Sequence, residues 1–161
     1  MADNVVSNEN LRTRFWEAVQ GRVFAFVGLD DNPDSEAPMT LVPDQPNEQS
    51  IWIFTRKQNG IAQGGPASGR FMTADQKFFA LIFGELIPET DERLIDRLWS
   101  PQIAAWYKEG RADPDLCVMR FDLSDLEIWL ADMSIWEKLK LIVGADISKK
   151  VEGQHGILAV E

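Results

Sequence analysis

The sequence predicts a mainly β protein with peripheral helices (α+β), its strands rolled into a closed or nearly closed antiparallel barrel. Three observations predict it. Six or seven short apolar runs of strand length recur along the chain, separated by clusters of Gly, Pro, Asn and Asp. Helical periodicity is confined to the beginning, to a stretch after residue 90 and to one near residue 140. The chain has 161 residues and is 45% hydrophobic, enough to bury one good core and too short for two comfortable domains. A single domain over 1–161 is therefore expected, with 1–10 as an N-terminal arm and 151–161 as a C-terminal tail.

The elements follow in order. Asn8 or Asn10 is placed to cap a first helix, in which Leu11, Phe15 and Val19 recur at i, i+4, Trp16 widens the stripe and Gly21 stops the run. Residues 22–29 (RVFAFVGL) form an apolar β-rich run. Residues 30–36 (DDNPDSE) read as a turn or short loop by composition. Residues 37–42 (APMTLV) read as a second strand with Pro38 at its start, and 43–50 as another polar turn. Residues 51–55 (IWIFT) are apolar at four successive positions, so this strand is expected to be buried on both faces. The Gly- and Gln-rich 56–68 reads as a loop with one helical turn. A hairpin follows, 70–74 and 77–86 around Asp75 and Gln76.

Then the period changes. Residues 90–99 form a helix capped by Thr90 or Asp91, with Leu94, Ile95 and Leu98 on one face. Pro101 opens a second short helix through Trp106 and Tyr107. After a loop at 109–114, residues 116–123 and 126–130 read as two strands divided at Ser124 and Asp125. A last helix is expected over 134–143, stopping at Gly144, and 151–161 reads as an extended tail.

Composition excludes several classes of function. A formal charge of −10 argues against a nucleic-acid footprint and against attachment to an anionic membrane surface. No apolar run approaches the roughly 20 residues that cross a bilayer. The opening MADNVVSNENLRTRFWEAV has early acids and no basic region before an apolar stretch, so no secretory leader is expected. Cys117 is the sole cysteine and rules out an internal disulfide. The cytoplasm is the expected compartment.

The chemistry narrows in the same way. A metal site built on His or Cys needs several ligands, and the chain has one of each, His155 and Cys117. His155 lies in GQHG near the chain end, a poor platform for a fixed catalytic base. Cys117 alternates with its neighbours inside a strand and reads as core. Gly60, Gly64 and Gly65 match no phosphate-loop motif. The most suggestive group is Thr55, Arg56 and Lys57 at the end of the third strand, where a hydroxyl and two cations can hold a phosphate dianion. Strand alternation sends Arg56 to the face opposite Thr55 and Lys57, so the three converge only where the strand twists or ends. Solvated charges at a strand terminus are the competing reading. Trp99, Trp106, Tyr107, Trp129 and Trp136 gather in the later half and suit either core packing or stacking on a planar ligand.

The order FWEAV, RVFAFVGLD, APMTLVPD, SIWIFTRK, then GELIPETDERLIDRLWSPQIAAWYKEGRADPDLCVMRFDLSDLEIW and EKLKLIVGAD resembles the general stress protein 26 family. That family belongs to the pyridoxamine 5′-phosphate oxidase-like, FMN-binding split-barrel proteins. The resemblance covers about residues 11–158, and LIDRLWSPQIAAWY followed by DPDLCVMRF is its most specific part.

The resemblance implies a split β-barrel of the FMN-binding type, a homodimer with cofactor sites at the subunit interface, and a bacterial source. It implies that Thr55, Arg56 and Lys57 contact the phosphate and ribityl chain, with Phe54 in the same strand. Met39 and Thr40 would lie against the isoalloxazine, and Trp106 would close the pocket. The chain departs from the family in the Gly-rich RKQNGIAQGGPASGRF segment. It also lacks the C-terminal Arg and His constellation of true pyridoxamine phosphate oxidases, so vitamin B6 oxidation is not expected. The implied function is an FMN-binding general-stress-type protein, a flavin-dependent oxidoreductase reduced by a nicotinamide or another low-potential donor. The alternatives are a non-catalytic flavin sensor or reservoir, a cofactor-free dimeric binding protein, and a holder of a different flavin or deazaflavin.

Overall fold

The computed structural model describes residues 8–45, 47, 49–130 and 155–159. Its first element is helix α1 (Asn8–Gln20), whose Leu11, Phe15, Trp16 and Val19 are all buried. The helix already includes Asn8 and Asn10, so neither stands before it as a cap. It ends where Gly21 predicts, but the left-handed residue is Arg22, at φ 55°, whose N–H donates to the Val19 carbonyl at 2.9 Å.

Strands β1 (Phe24–Leu29) and β2 (Asn32–Thr40) form a hairpin. Residues 30–36 are therefore mostly strand, and only Asp30 and Asp31 turn. The polar composition misleads because Ser35 replaces ladder bonds where the register shifts. Its buried hydroxyl accepts from the Leu29 N–H at 2.7 Å and donates to the Asn32 carbonyl at 2.6 Å. Pro38 sits in mid-strand opposite Phe26, tolerated because β2 is an edge strand.

After Leu41 come β3 (Val42–Pro43) and β4 (Ser50–Arg56). A single 3₁₀ turn (Gly60–Gln63), capped by Asn59, leads into β5 (Gly65–Met72), which starts earlier than its Gly-rich sequence predicts. Strand β6 (Phe78–Pro88) completes the expected hairpin, with Gln76 at φ 60° in the turn.

Helix α2 (Glu92–Leu98) is capped by Asp91, which accepts from the N–H groups of Arg93 and Leu94. Helix α3 (Pro101–Ala104) is capped by Ser100. Trp106 and Tyr107 lie beyond α3, not inside it, because the backbone tightens there: their N–H groups bond to the carbonyls of Ile103 and Ala104, three residues back.

The two strands expected at 116–130 are one, β7 (Leu116–Leu130). Ser124 is an extra residue against β6, since Phe83 pairs with Asp125 but Gly84 pairs with Leu123. The bulge switches the buried positions from Met119, Phe121 and Leu123 to Leu126 and Ile128. Only glycine fits opposite it, because a Cβ at Gly84 would stand 1.9 Å from the Asp122 carbonyl oxygen. The expected tail contains β8 (His155–Ala159), antiparallel to residues 125–129. The helix expected over 134–143 lies outside the described residues.

The strand order is β2-β1-β5-β6-β7-β4-β3, with β8 paired to β7. The two outermost strands, β2 and β3, are separated in sequence by Leu41 alone. The sheet must therefore curl until its edges meet at Leu41, which is fully buried and donates to the Val23 carbonyl at 3.0 Å. Inside the curl, Phe15 of α1 packs with Leu41, Ile51, Ile53, Met119 and Phe121. A second cluster lies outside β4, where Trp52 and Phe54 meet Ile95, Trp99, Ile103 and Tyr107 of the α2–α3 segment. Strand β4 is thus covered on both faces, as its four apolar residues predict.

Candidate functional site

The last residues of β4 open into a pocket of about 760 Å³. Pro38, Met39 and Thr40 of β2 form one wall, and Phe54, Thr55 and Arg56 of β4 the floor. Ile103, Trp106 and Tyr107 form the wall opposite. Arg22 and Phe24 enter from the start of β1, while Gln58, Asn59 and Gln102 add amide groups.

Six of the residues singled out in the sequence therefore come together here: Met39, Thr40, Phe54, Thr55, Arg56 and Trp106. Arg56 shares the pocket with Thr55 despite alternation because the strand ends at Arg56. Lys57 does not line it. Its backbone N–H extends the pairing to the Asp115 carbonyl at 2.9 Å, and its charge acts on Cys117 instead.

Arg56 is held from three sides. Its Nη2 donates to the Trp106 carbonyl at 2.7 Å, and its guanidinium carbon lies 5.4 Å from the centre of the Tyr107 ring. The Asp115 carboxylate is 4.0 Å from Nη1, and both side chains are about half exposed, so this pair does little to neutralise the cation. Tyr107 is itself anchored, its hydroxyl donating to the Thr55 carbonyl at 2.8 Å. Burial pushes that hydroxyl up to about 12 against the opposing pull of Arg56, so it stays a neutral donor at ordinary pH.

The charge of the pocket runs against that of the chain. Among the described residues, those lining it include Arg22 and Arg56 and no aspartate or glutamate, in a protein of net charge −10. Apolar walls with cationic groups suit a planar apolar ligand carrying an anion. Trp106, 72% exposed, and Phe24, 69% exposed, stand at its rim.

Other chemistries find less support. Among the described residues no three His, Cys, Asp or Glu side chains are grouped to hold a metal ion. Burial pushes the Cys117 thiol up, and its Sγ lies 3.6 Å from the Met119 Sδ, which suits partial core and not an activated nucleophile. Trp99 packs in the cluster outside β4, 6.0 Å from Phe54 and 5.8 Å from Tyr107 between ring centres.

A second cavity, of about 680 Å³, lies at the other end of β4. There Glu89 accepts from the Trp52 indole N–H at 2.9 Å and from the N–H groups of Thr90 and Asp91 at 3.0 Å each. Arg120 is 3.7 Å from Glu89 and forms a fork with Asp122, which also accepts from Ser50 at 2.7 Å.

Sequence reasoning does not reach Arg22 and Gln102. They carry no motif and meet only because closure of the sheet brings the start of β1 to α3. Tyr107 adjoins Trp106 among the clustered aromatics, and its hydrogen bond to Thr55 is what gives it a place in the site.

The sequence profile described as pyridoxamine 5′-phosphate oxidase like matches residues 10–153. No curated protein matches the chain. Among solved structures, a general stress family protein from Xanthomonas campestris pv. campestris is 34% identical, with a TM-score of 0.72, over 88% of this chain and 97% of that one. A general stress FMN/FAD binding protein from Xanthomonas citri is also 34% identical, with a TM-score of 0.70, over 86% and 97% of the two chains. A general stress protein 26 from Jannaschia sp. CCS1, 22% identical over 94% and 99%, shares the fold with a TM-score of 0.76. No helix among the described residues is long and apolar enough to cross a membrane. A sheet curled until its edges meet at Leu41, and a profile match over nearly the whole chain, lead to one conclusion: this chain belongs to the pyridoxamine 5′-phosphate oxidase-like family and has its split-barrel fold.

Proposed function

We propose that the protein binds FMN in the pocket at the end of β4 as a general-stress-type flavoprotein of the cytoplasm. The observation that carries this reading is the local reversal of charge, two arginines and no acid lining an apolar pocket in a strongly acidic chain. The volume of about 760 Å³ falls within the roughly 300–1,000 Å³ usual for ligand pockets. The binding of FMN or FAD by the Xanthomonas citri relative supports it. In this reading Arg56 holds the phosphate, its guanidinium already oriented by the Trp106 carbonyl and the Tyr107 ring. Met39 and Thr40 meet the ring system, and Phe54 and Trp106 enclose it.

Bound FMN supplies the electron-carrying chemistry. The protein's own part is to hold and shield it: among the described residues the pocket lining includes no His, Asp or Glu, and Tyr107, pushed up by burial to about 12, stays protonated near neutral pH. That favours electron or hydride transfer from a nicotinamide donor, or simple storage of flavin, over proton abstraction from a substrate. Reduction of the bound flavin by NADH or NADPH in a stopped-flow experiment separates the oxidoreductase from the sensor or reservoir.

The dimer belongs to the same proposal. Phe24 and Trp106 at the rim, and Phe26 (51% exposed) next on the same face of β1, leave an apolar margin that a second copy would cover. Light scattering is expected to give twice the chain mass, and a monomer would remove the shared site. The primary test is an FMN titration followed by fluorescence quenching: saturation at about one flavin per chain is expected, and no quenching would remove the flavin reading.

A further inference from the structure

We propose that Arg22 and Gln102 form a paired hydrogen-bond donor for the N1–C2=O edge of the flavin ring, where they stabilise the negative charge that the ring takes on when reduced. This rests on the flavin reading above and adds a control of redox potential to the same site.

Position comes first. Along one wall of the pocket, Phe24 pairs with Thr40 and Phe26 with Pro38, so Arg22 lies beyond the Thr40 end. Strand β3 continues the course of β2 and pairs antiparallel with β4, Val42 opposite Trp52, so the advance of β4 to Arg56 runs back toward Pro38. The two arginines therefore stand toward opposite ends of the wall formed by Pro38, Met39 and Thr40. With Arg56 on the phosphate and Met39 and Thr40 against the ring system, Arg22 falls at the ring end.

The chemistry of that end is fixed by its own bond. A guanidinium has donors only, so the Gln102 atom that meets Arg22 Nη1 at 3.2 Å is the amide oxygen. The Gln102 amide nitrogen and the remaining Arg22 N–H groups, all donors, are left for a ligand. The Arg56 end differs: Gln58 donates to Asp115 at 3.1 Å and keeps its oxygen as an acceptor, which suits ribityl hydroxyls. Arg22 has no ion pair among the described residues, and its bond is to a neutral amide, so its charge is not cancelled.

A wall of donors selects among the edges of the ring. N3 carries a hydrogen in both oxidation states, and N5 gains one on reduction. The N1–C2=O edge alone accepts at both of its atoms throughout. When a nicotinamide or other donor delivers two electrons and a proton, the proton goes to N5 and the negative charge to N1 and the C2 oxygen. A cation at that edge favours the reduced ring over the neutral oxidised one.

The test measures the potential of FMN, and of riboflavin in excess, bound to the full chain by anaerobic spectroelectrochemical titration. The electrode supplies the electrons, so no physiological donor is needed. Arg22→Asn removes the charge and tolerates the left-handed backbone at φ 55°. It is expected to lower the affinity for reduced relative to oxidised flavin by about 10-fold, a potential about 30 mV lower for two electrons. The same shift is expected with riboflavin, which has no phosphate. Arg22→Lys is expected to restore most of the potential. Gln102→Glu, whose carboxylate would cancel the Arg22 charge, is expected to lower it as Arg22→Asn does. Arg56→Ala is expected to weaken FMN in both oxidation states and to leave riboflavin unchanged. An unchanged or raised potential in Arg22→Asn would overturn the assignment. So would a shift seen with FMN and absent with riboflavin, which would make Arg22 a phosphate contact. Binding of no flavin by the wild type would instead remove the flavin reading itself, and this inference with it.

Discussion

Strand β4 has a cavity of similar size at each end, and the two treat charge in opposite ways. At its beginning, by Ser50 and Trp52, the carboxylates of Glu89 and Asp122 are engaged by the Trp52 indole, the Ser50 hydroxyl, backbone N–H groups and Arg120. At its end, by Thr55 and Arg56, Arg22 and Arg56 bond to neutral groups, and the nearest acid, Asp115, stands 4.0 Å from Arg56. A network that satisfies itself holds the fold together. Cations with no counter-charge, as at Arg22, or only a weak exposed one, as at Arg56, are available to a ligand. Cavity volume alone does not distinguish the two, since they measure about 680 and 760 Å³.

The largest effect that could break this contrast lies at the acidic end. Glu89→Ala removes the acceptor of a buried indole N–H and the partner of Arg120, and is expected to cost about 2–4 kcal/mol of stability in denaturant unfolding. FMN affinity should change by less than about 2-fold. A variant with unchanged stability and weakened flavin binding would reverse the assignment of the two cavities.

Arg56→Ala should do the opposite. Losing one charge-assisted hydrogen bond of roughly 1.5–3 kcal/mol lowers FMN affinity about 10- to 150-fold. Its half-exposed ion pair with Asp115 contributes little, so stability should fall by about 1 kcal/mol or less. An unchanged dissociation constant would take Arg56 out of the site.

The smallest effect sharpens the contrast spectroscopically. Tyr107 is the sole tyrosine, so the near-ultraviolet phenolate band reads this one wall of the pocket. Burial favours its neutral form, raising it from 10.0 to about 12. The folded chain therefore keeps a proton that the unfolded chain releases. The stabilisation is complete below about pH 10 and is lost as pH rises through about 12. A spectrophotometric titration with an ordinary midpoint near 10 would show Tyr107 to be solvated and its bond to Thr55 absent.

Much of the fold and part of the site are legible in the sequence, for reasons that can be traced. Leu11, Phe15 and Val19 declare α1 because burial imposes a 3.6-residue period, and 51–54 declare β4 because burial on both faces leaves no polar position in that run. The errors fall where a side chain does the work of backbone. Ser35 carries the register shift that makes 30–36 look like loop, and Ser124 is a bulge that looks like a break. In the site, Thr55 and Arg56 are visible as a hydroxyl and a cation at a strand end. Lys57 looks equivalent but does not line the pocket, and its backbone continues the pairing to Asp115. Arg22 and Gln102 are invisible because 80 residues of sequence separate them and only closure of the sheet joins them.

The most direct test of the central claim, that the weakly compensated cations of the pocket hold a phosphate-bearing flavin, is the ratio of FMN to riboflavin affinity in the wild-type protein. The two ligands share the ring and ribityl chain and differ only in the phosphate. FMN is expected to bind tighter by about 10- to 150-fold. Equal affinities would mean that the arginines make no contact with the ligand's charge, and would contradict the account.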